Sequence, residues 1–340
     1  MEFSAETLKA VYDATFYVTL QLAKALTAAI RRESEFYWPF LVSSVLIAAL
    51  VWRWTIYARA SLPGRSWRQF FGEYFSGRIW WHRSARADYA LYFANALALP
   101  LIFGYLLANE RQVAQWLGAN FGGSTAASGD PGLALKLAFT LAFFIAYDFG
   151  RFVAHSLLHD VPLLWEFHKV HHSAEVLTPI TGARAHPIDL LIMAWVPALT
   201  TGLVVWAFNR YAGGSINFYK FLGVHAIIWA FNLIGNLRHS PVWLSYGPVL
   251  GRWLISPAHH QVHHSYESRH LGRNRGFELA IWDRLYGTLY VPPIEAETFR
   301  MGLGDETDGK FHTLARMYLW PFAGAARRLL RKSPERRALS

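Results

Sequence analysis

Three groups of histidines at helical spacing constrain this chain more than any other feature. His155 and His159 stand four residues apart, His168, His171 and His172 form an HxxHH unit, and His260, His263 and His264 repeat that unit. Residues three and four apart share one face of an α-helix, so each group aims its imidazoles in a common direction. Neutral imidazole is the commonest nitrogen ligand for transition metals. A single ion takes about four to six ligands. Eight histidines in these groups exceed that number, so the chain is expected to fold distant helices around two ions.

Composition narrows the rest. Of the 340 residues 53% are hydrophobic and only 16% charged, against about 25% charged in an ordinary soluble domain. Much of the surface is therefore expected to meet lipid. Cysteine is absent, which excludes disulfides, thiolate metal sites, iron–sulfur clusters and a cysteine nucleophile. An all-nitrogen donor set suits iron, zinc or copper. Zinc sites, with about three or four ligands each, would leave several histidines idle. Two irons with positions open to O2 would use them all. The formal charge of +10 reads as cytoplasmic loops facing anionic lipid, and no nucleic-acid motif accompanies it.

Five apolar stretches approach the ~20 residues that cross a bilayer: Phe36–Val51, Tyr89–Ala108, Leu133–Ile145 continuing helically to His155, Ile188–Phe208, and Phe218–Ile234. Residues 5–30 read as an amphipathic or membrane-dipping helix, or equally as a soluble one. Lys24 and the Arg31-Arg32 pair argue against a cleaved signal. Residues 53–87 hold seven arginines and one glutamate, whereas 110–132 hold one arginine and two acids. The positive-inside rule then puts 53–87 in the cytoplasm and 110–132 outside. Counting onward places 155–187 and everything after about 238 inside, so all three histidine groups fall on the cytoplasmic face. Leu62-Pro63-Gly64, the 122–132 segment, Gly213-Gly214 and Pro292-Pro293 read as loops. Ala323 to Arg337 reads as a basic segment lying on an anionic membrane, or as a disordered tail.

The ordered motifs His155-Ser-Leu-Leu-His159-Asp160, Trp165-Glu-Phe-His168-Lys-Val-His171-His172, Arg184-Ala-His186-Pro187, Arg238-His239-Ser240, Pro257-Ala-His-His260-Gln-Val-His263-His264 and Trp282-Asp283-Arg-Leu-Tyr-Gly287-Thr288 resemble the fatty acid hydroxylase / sterol desaturase superfamily over about Leu133 to Pro293. The resemblance implies an all-α integral-membrane bundle with a cytoplasmic, histidine-rich helical cap holding a di-iron centre. The parts would be a membrane region over 1–132, a catalytic domain over 133–295 and a basic tail over 296–340. It further implies O2-dependent hydroxylation or desaturation of a lipid, a sterol-like molecule or a related hydrophobic substrate. Electrons would come from NAD(P)H through a ferredoxin, cytochrome or reductase partner, and the setting would be a bacterial inner membrane.

Carried over by motif, the ligands are His155, His159, His168, His171, His172, His239, His260, His263 and His264. The fatty-acid 2-hydroxylase branch has a further histidine four residues before His239, where this chain has Gly235. Either His186 or His259 supplies the missing ligand, or one ion stays open. Otherwise these two orient a ligand. Asp160, Glu166, Glu175, Asp189 and Asp283 are candidates to hold the far nitrogen of a ligand imidazole, Asp283 foremost. Helix caps or ion pairs are the plainer reading of each. Arg269, Arg273 and Arg275 either hold a substrate phosphate or an acidic electron donor, or form a solvated loop. His225 reads as a hydrogen-bonded bundle residue, and His82, His270 and His312 as surface or interfacial residues. Two other functions stay open: a membrane protein that handles zinc or copper, and a zinc-dependent lipid hydrolase using Glu166 or Glu175.

Overall fold

The computed structural model describes residues 5–58, 66–103, 109–123, 132–212 and 216–330. Helices dominate. In chain order they are α1 (Ala5–Leu26), α2 (Trp38–Ala58), α3 (Trp67–Tyr74), α4 (Gly77–Trp80), α5 (Arg83–Phe103), α6 (Glu110–Phe121), α7 (Gly132–Asp160), α8 (Pro162–His172), α9 (Pro187–Tyr211), α10 (Ala226–Gly235), α11 (Gly247–Leu250), α12 (Pro257–His263), α13 (Ile281–Tyr286) and α14 (Leu314–Leu330). The loops at 62–64 and 213–214 and the basic residues from 331 onward lie outside the described residues.

The antiparallel pair α7 and α9 forms the spine. Gly150 lets them touch: a Cβ there would stand 2.7 Å from Pro197 Cα. Both helices are long and apolar enough to cross a bilayer, and only 28% of either apolar window is buried within the protein. A soluble core helix would be mostly buried. Here Leu133, Leu137, Leu141, Ile145 and Phe149 form an exposed stripe at every fourth residue of α7, as expected where lipid replaces water. Val42, Leu46 and Leu50 make a similar stripe on α2.

Two expected features differ. The stretch Phe218–Ile234 is not one helix. It begins as an antiparallel hairpin, β1 (Lys220–Phe221) with β2 (Val224–His225), and continues as the ten-residue α10. The turn between the strands puts Leu222 at φ 49° and Gly223 at φ 87°, a left-handed pair suited to a tight hairpin. Ten residues rise about 15 Å, half a bilayer, so α10 does not span alone. It packs on α2, where Ser43 Oγ donates to Leu233 O at 2.7 Å.

The second difference concerns 110–121. These residues were expected in an outer loop, yet they form α6, started by a capping box between Asn109 and Gln112. The helix lies along the half of α9 remote from the histidines. A Cβ on Gly202 would sit 2.6 Å from Val113 Cγ1, and Trp206 Nε1 donates to Gly122 O at 2.9 Å.

At the other end, α8, α12 and α14 build the cap. Pro162, Pro187 and Pro257 each open a helix at its first turn, where proline costs no hydrogen bond. The amphipathic α14 buries Met317, Pro321, Gly324 and Ala325, and Glu166 of α8 packs against Gly324. Through Leu330 the C-terminal segment is therefore part of the cap.

Candidate metal centre

Nine histidine side chains converge in two adjoining groups. His155, His159, His168, His172 and His263 form one; His171, His239, His260 and His264 form the other, with donor atoms within 4.8 Å of one another in each. Helical geometry explains the division. In α8 the i, i+4 pair His168 and His172 joins the first group while His171 joins the second. In α12 and its C-cap the i, i+4 pair His260 and His264 joins the second while His263 crosses to the first. α7 adds His155 and His159, one turn apart. His239 follows α10.

Hydrogen bonding fixes which nitrogen faces inward. His155 Nδ1 donates to Arg275 O at 2.8 Å, and His263 Nδ1 donates to Arg273 O at 2.8 Å. A neutral imidazole has one N–H, so both Nε2 atoms carry bare lone pairs. They stand 3.1 Å apart. Two lone pairs at that separation repel unless a cation lies between them. Nitrogens at right angles about 2.1 Å from a shared ion would be about 3.0 Å apart. The second group has the same spacing: Nε2 of His239 lies 2.9 Å from that of His260, and the His260 and His264 nitrogens are 3.2 Å apart. His172 Nε2 is buried with no hydrogen-bond partner among the described residues. These observations fit a pair of metal ions.

Electrostatics agree. Burial, then the proximity of the other imidazoles, lowers His171 to about 4. Burial lowers His263 to about 3, with Arg273 O pulling the other way. His172, His239, His260 and His264 are held well below the ordinary range by burial and then by neighbouring histidines or, for His239, also Arg238. At neutral pH these side chains are neutral, the form that binds metal.

Outer contacts orient the ligands. Asp189 accepts from His168 Nδ1 at 2.6 Å, and His171 Nδ1 donates to Arg184 O at 3.0 Å. Asp189, rather than Asp283, is the carboxylate on a clustered histidine. Asp283 acts one step further out, accepting from the backbone N–H of Arg275 and Gly276 at 2.8 and 2.7 Å. It thereby fixes the segment that presents Arg275 O to His155. Asp160 takes Arg275 and the Tyr286 hydroxyl at 2.7 and 2.8 Å. Glu166 pairs with Lys169 and Arg328, and Glu175 with Arg83 and His312.

His186 and His259 lie outside both groups. His186 is the N-cap of α9: its Nδ1 accepts from Ile188 N at 3.0 Å and its Nε2 donates to Tyr318 O at 3.2 Å. His259 Nδ1 accepts from Ser256 N at 3.1 Å and its Nε2 donates to Gly251 O at 3.0 Å. Both nitrogens of each ring are thus committed. A signal existed for His259, since Ser256-Pro257 marks an N-cap and puts His259 at the third helical position of a capping box. Of the three arginines after the last box, Arg269 pairs with Glu297 at 2.7 Å, Arg275 with Asp160, and Arg273 donates to Gly287 O at 3.0 Å. His270, expected at the surface or an interface, is fully buried, with Nδ1 2.9 Å from Ser265 Oγ. His225 donates to Thr140 O at 3.1 Å, from the hairpin rather than from mid-span.

Sequence reading missed two supports. The fully buried Arg184 pairs with Asp88 of α5 at 2.5 Å and donates to Val170 O and Phe311 O, tying four segments together behind α8. Asp148 of α7 accepts from Glu278 N, Leu279 N and Trp282 Nε1 and anchors the chain after the last box. Only the polarity of Asp148 within an apolar run signalled it.

A cavity of about 200 Å³ adjoins both groups. Its lining includes His155, His171 and His239 with Leu190, Met193 and Phe277. Gly235, where the related branch has a histidine, also lines it.

Comparison with known proteins shows what this arrangement is similar to. Residues 140–288 match the fatty acid hydroxylase family. Ornithine lipid hydroxylase OlsE of Rhizobium tropici is 30% identical over 197 residues, 55% of each chain. Alkylglycerol monooxygenase of Homo sapiens is 28% identical over 146 residues, 43% of this chain and 29% of the relative. Delta(7)-sterol 5(6)-desaturase of Eremothecium gossypii is 29% identical over 162 residues, 47% of this chain and 40% of the relative. This chain spans about half the length of these relatives or less. No solved structure matches it. Residues 140–288, which carry all nine clustered histidines, are the part of this chain that is similar to the fatty acid hydroxylase family.

Proposed function

We propose that the chain is a membrane-bound, O2-dependent di-iron oxygenase that hydroxylates or desaturates an unactivated C–H bond of a lipid. One observation carries the reading: two adjoining all-nitrogen groups open on a shared cavity at one end of the apolar helices. A protein that passes zinc or copper across the membrane would instead place histidines along its spans.

His155, His159, His168, His172 and His263 would hold one iron, and His171, His239, His260 and His264 the other. Irons held there would supply, with O2 and electrons from NAD(P)H through a partner protein, the oxidising power to take hydrogen from an alkyl carbon. The chain's own residues do the rest. Asp189 and the carbonyls of Arg184, Arg273 and Arg275 hold the imidazoles at fixed angles. Leu190, Met193 and Phe277 give the cavity an apolar side, where an alkyl chain displaces water. No acid–base pair is required, because hydroxylation and desaturation share the hydrogen-abstraction step. The arginine-rich 53–87 segment supports a cytoplasmic site.

Metal analysis of the purified protein tests the reading, with two irons per chain expected. Lipid mass spectrometry of cells with and without the chain should then show species heavier by one oxygen atom or lighter by two hydrogens. Zinc in place of iron, or identical lipid profiles, would refute it.

A further inference from the structure

The cavity beside the histidines is not wholly apolar. Glu35, from the segment preceding α2, and Asn232, from α10, both line it. Among the described residues neither side chain has a hydrogen-bond or ion-pair partner. Other polar groups nearby are spoken for. Arg238 and Arg151 share the carboxylate of Glu278, with Arg151 also lying 3.7 Å over the Phe277 ring. Asn236 Nδ2 donates to Glu35 O at 3.0 Å, which holds the Glu35 backbone in place and spares its side chain. Glu35 nonetheless remains exposed to solvent and Asn232 half-buried, so both polar groups are hydrated while the cavity is empty.

An alkyl chain entering the cavity would strip water from this carboxyl and this amide, at a cost unless the occupant itself satisfies them. We infer that Glu35 and Asn232 bind a hydrogen-bond-donating polar group of the substrate, an ammonium or a hydroxyl, and so select an amphiphile over a plain hydrocarbon or a fatty carboxylate. The inference rests on the oxygenase reading and narrows its substrate class. Glu35 lies outside residues 140–288. The matched region thus supplies the histidines, while the N-terminal region supplies this part of the selection.

The test uses the iron-loaded full chain in dodecyl maltoside and four probes of equal chain length: dodecylamine, dodecanol, dodecanoate and dodecane. Apparent affinities are read by thermal shift. Dodecylamine, dodecanol or both should bind about tenfold or more tightly than the carboxylate and the alkane, since a site built around a donor rejects analogues lacking it. Preference for the amine identifies an ammonium, and an alcohol that binds at least as well identifies a hydroxyl. The Glu35→Gln variant should lose any amine preference, and Glu35→Leu with Asn232→Leu should lose discrimination altogether, with iron content unchanged in both. Equal binding of all four probes, tightest binding of dodecanoate, or variants that discriminate like the parent would overturn the inference. Failure of the oxygenase reading looks different: fewer than two irons per chain, whatever the probe series gives.

Discussion

The carboxylate of Asp189, at the first turn of α9, accepts a hydrogen bond from His168 Nδ1 at 2.6 Å, with both side chains buried. A helix long and apolar enough to cross a bilayer is thereby tied directly to a histidine of the five-membered group. The contact fixes the tautomer that turns Nε2 toward the other donors. Asp189→Asn should weaken metal retention by roughly ten- to a hundredfold, read as iron per chain after a graded chelator challenge. Full retention would show that the carboxylate has no part in holding the metal.

His259 and His263 are neighbours in sequence with different work. His259→Ala removes a capping contact and should cost about 1 kcal/mol of stability, leaving two metals per chain. His263→Ala should lower the metal content itself. Thermal unfolding and metal analysis of the pair separate the two roles; metal loss in His259→Ala would make that residue a ligand after all.

Asp88 and Arg184 form an ion pair sealed from solvent. Asp88→Asn leaves the guanidinium without its counter-charge and should destabilise the cap by about 3–5 kcal/mol. Because Arg184 O orients His171, the damage should reach the four-histidine group, seen as a lower melting temperature with weaker metal retention. A variant with parental stability would count against the pair as a structural support.

Acid should unfold the metal-free chain. His171 and His259 are lowered to about 4 and His263 to about 3, whereas an unfolded histidine titrates near 6.5. The unfolded state therefore binds more protons as pH falls below about 6.5, and stability declines from there until the folded groups titrate near 4 to 3. Unfolding curves at pH 7.5, 6 and 4.5 should shift downward in that order. A flat profile would show that these rings are not held neutral by the fold.

Much of this centre was legible because it rests on local periodicity. A spacing of three and four residues on a helix means a shared face, so the two HxxHH units and the His155–His159 pair could be read from the chain. Which ring joins which group could not, because that depends on how α8 and α12 lie against each other. Asp189 was one of several nearby acids, and only tertiary packing puts it on His168. The same limit hid Glu35, far from any motif. Hydropathy read Phe218–Ile234 as one span because it averages over residues and does not register that Leu222 and Gly223 turn the backbone. The outer-loop reading of 110–121 failed similarly: its moderate polarity masks a face that fits against Gly202.

α8 and α12 each donate to both histidine groups, and this interleaving bears on how the centre would be loaded. Capturing one ion would draw together the same two helices that the neighbouring ion needs, so the second would bind to a frame already assembled. Filling should then be cooperative, and a preparation averaging one ion per chain would be a mixture of full and empty molecules rather than a population half occupied.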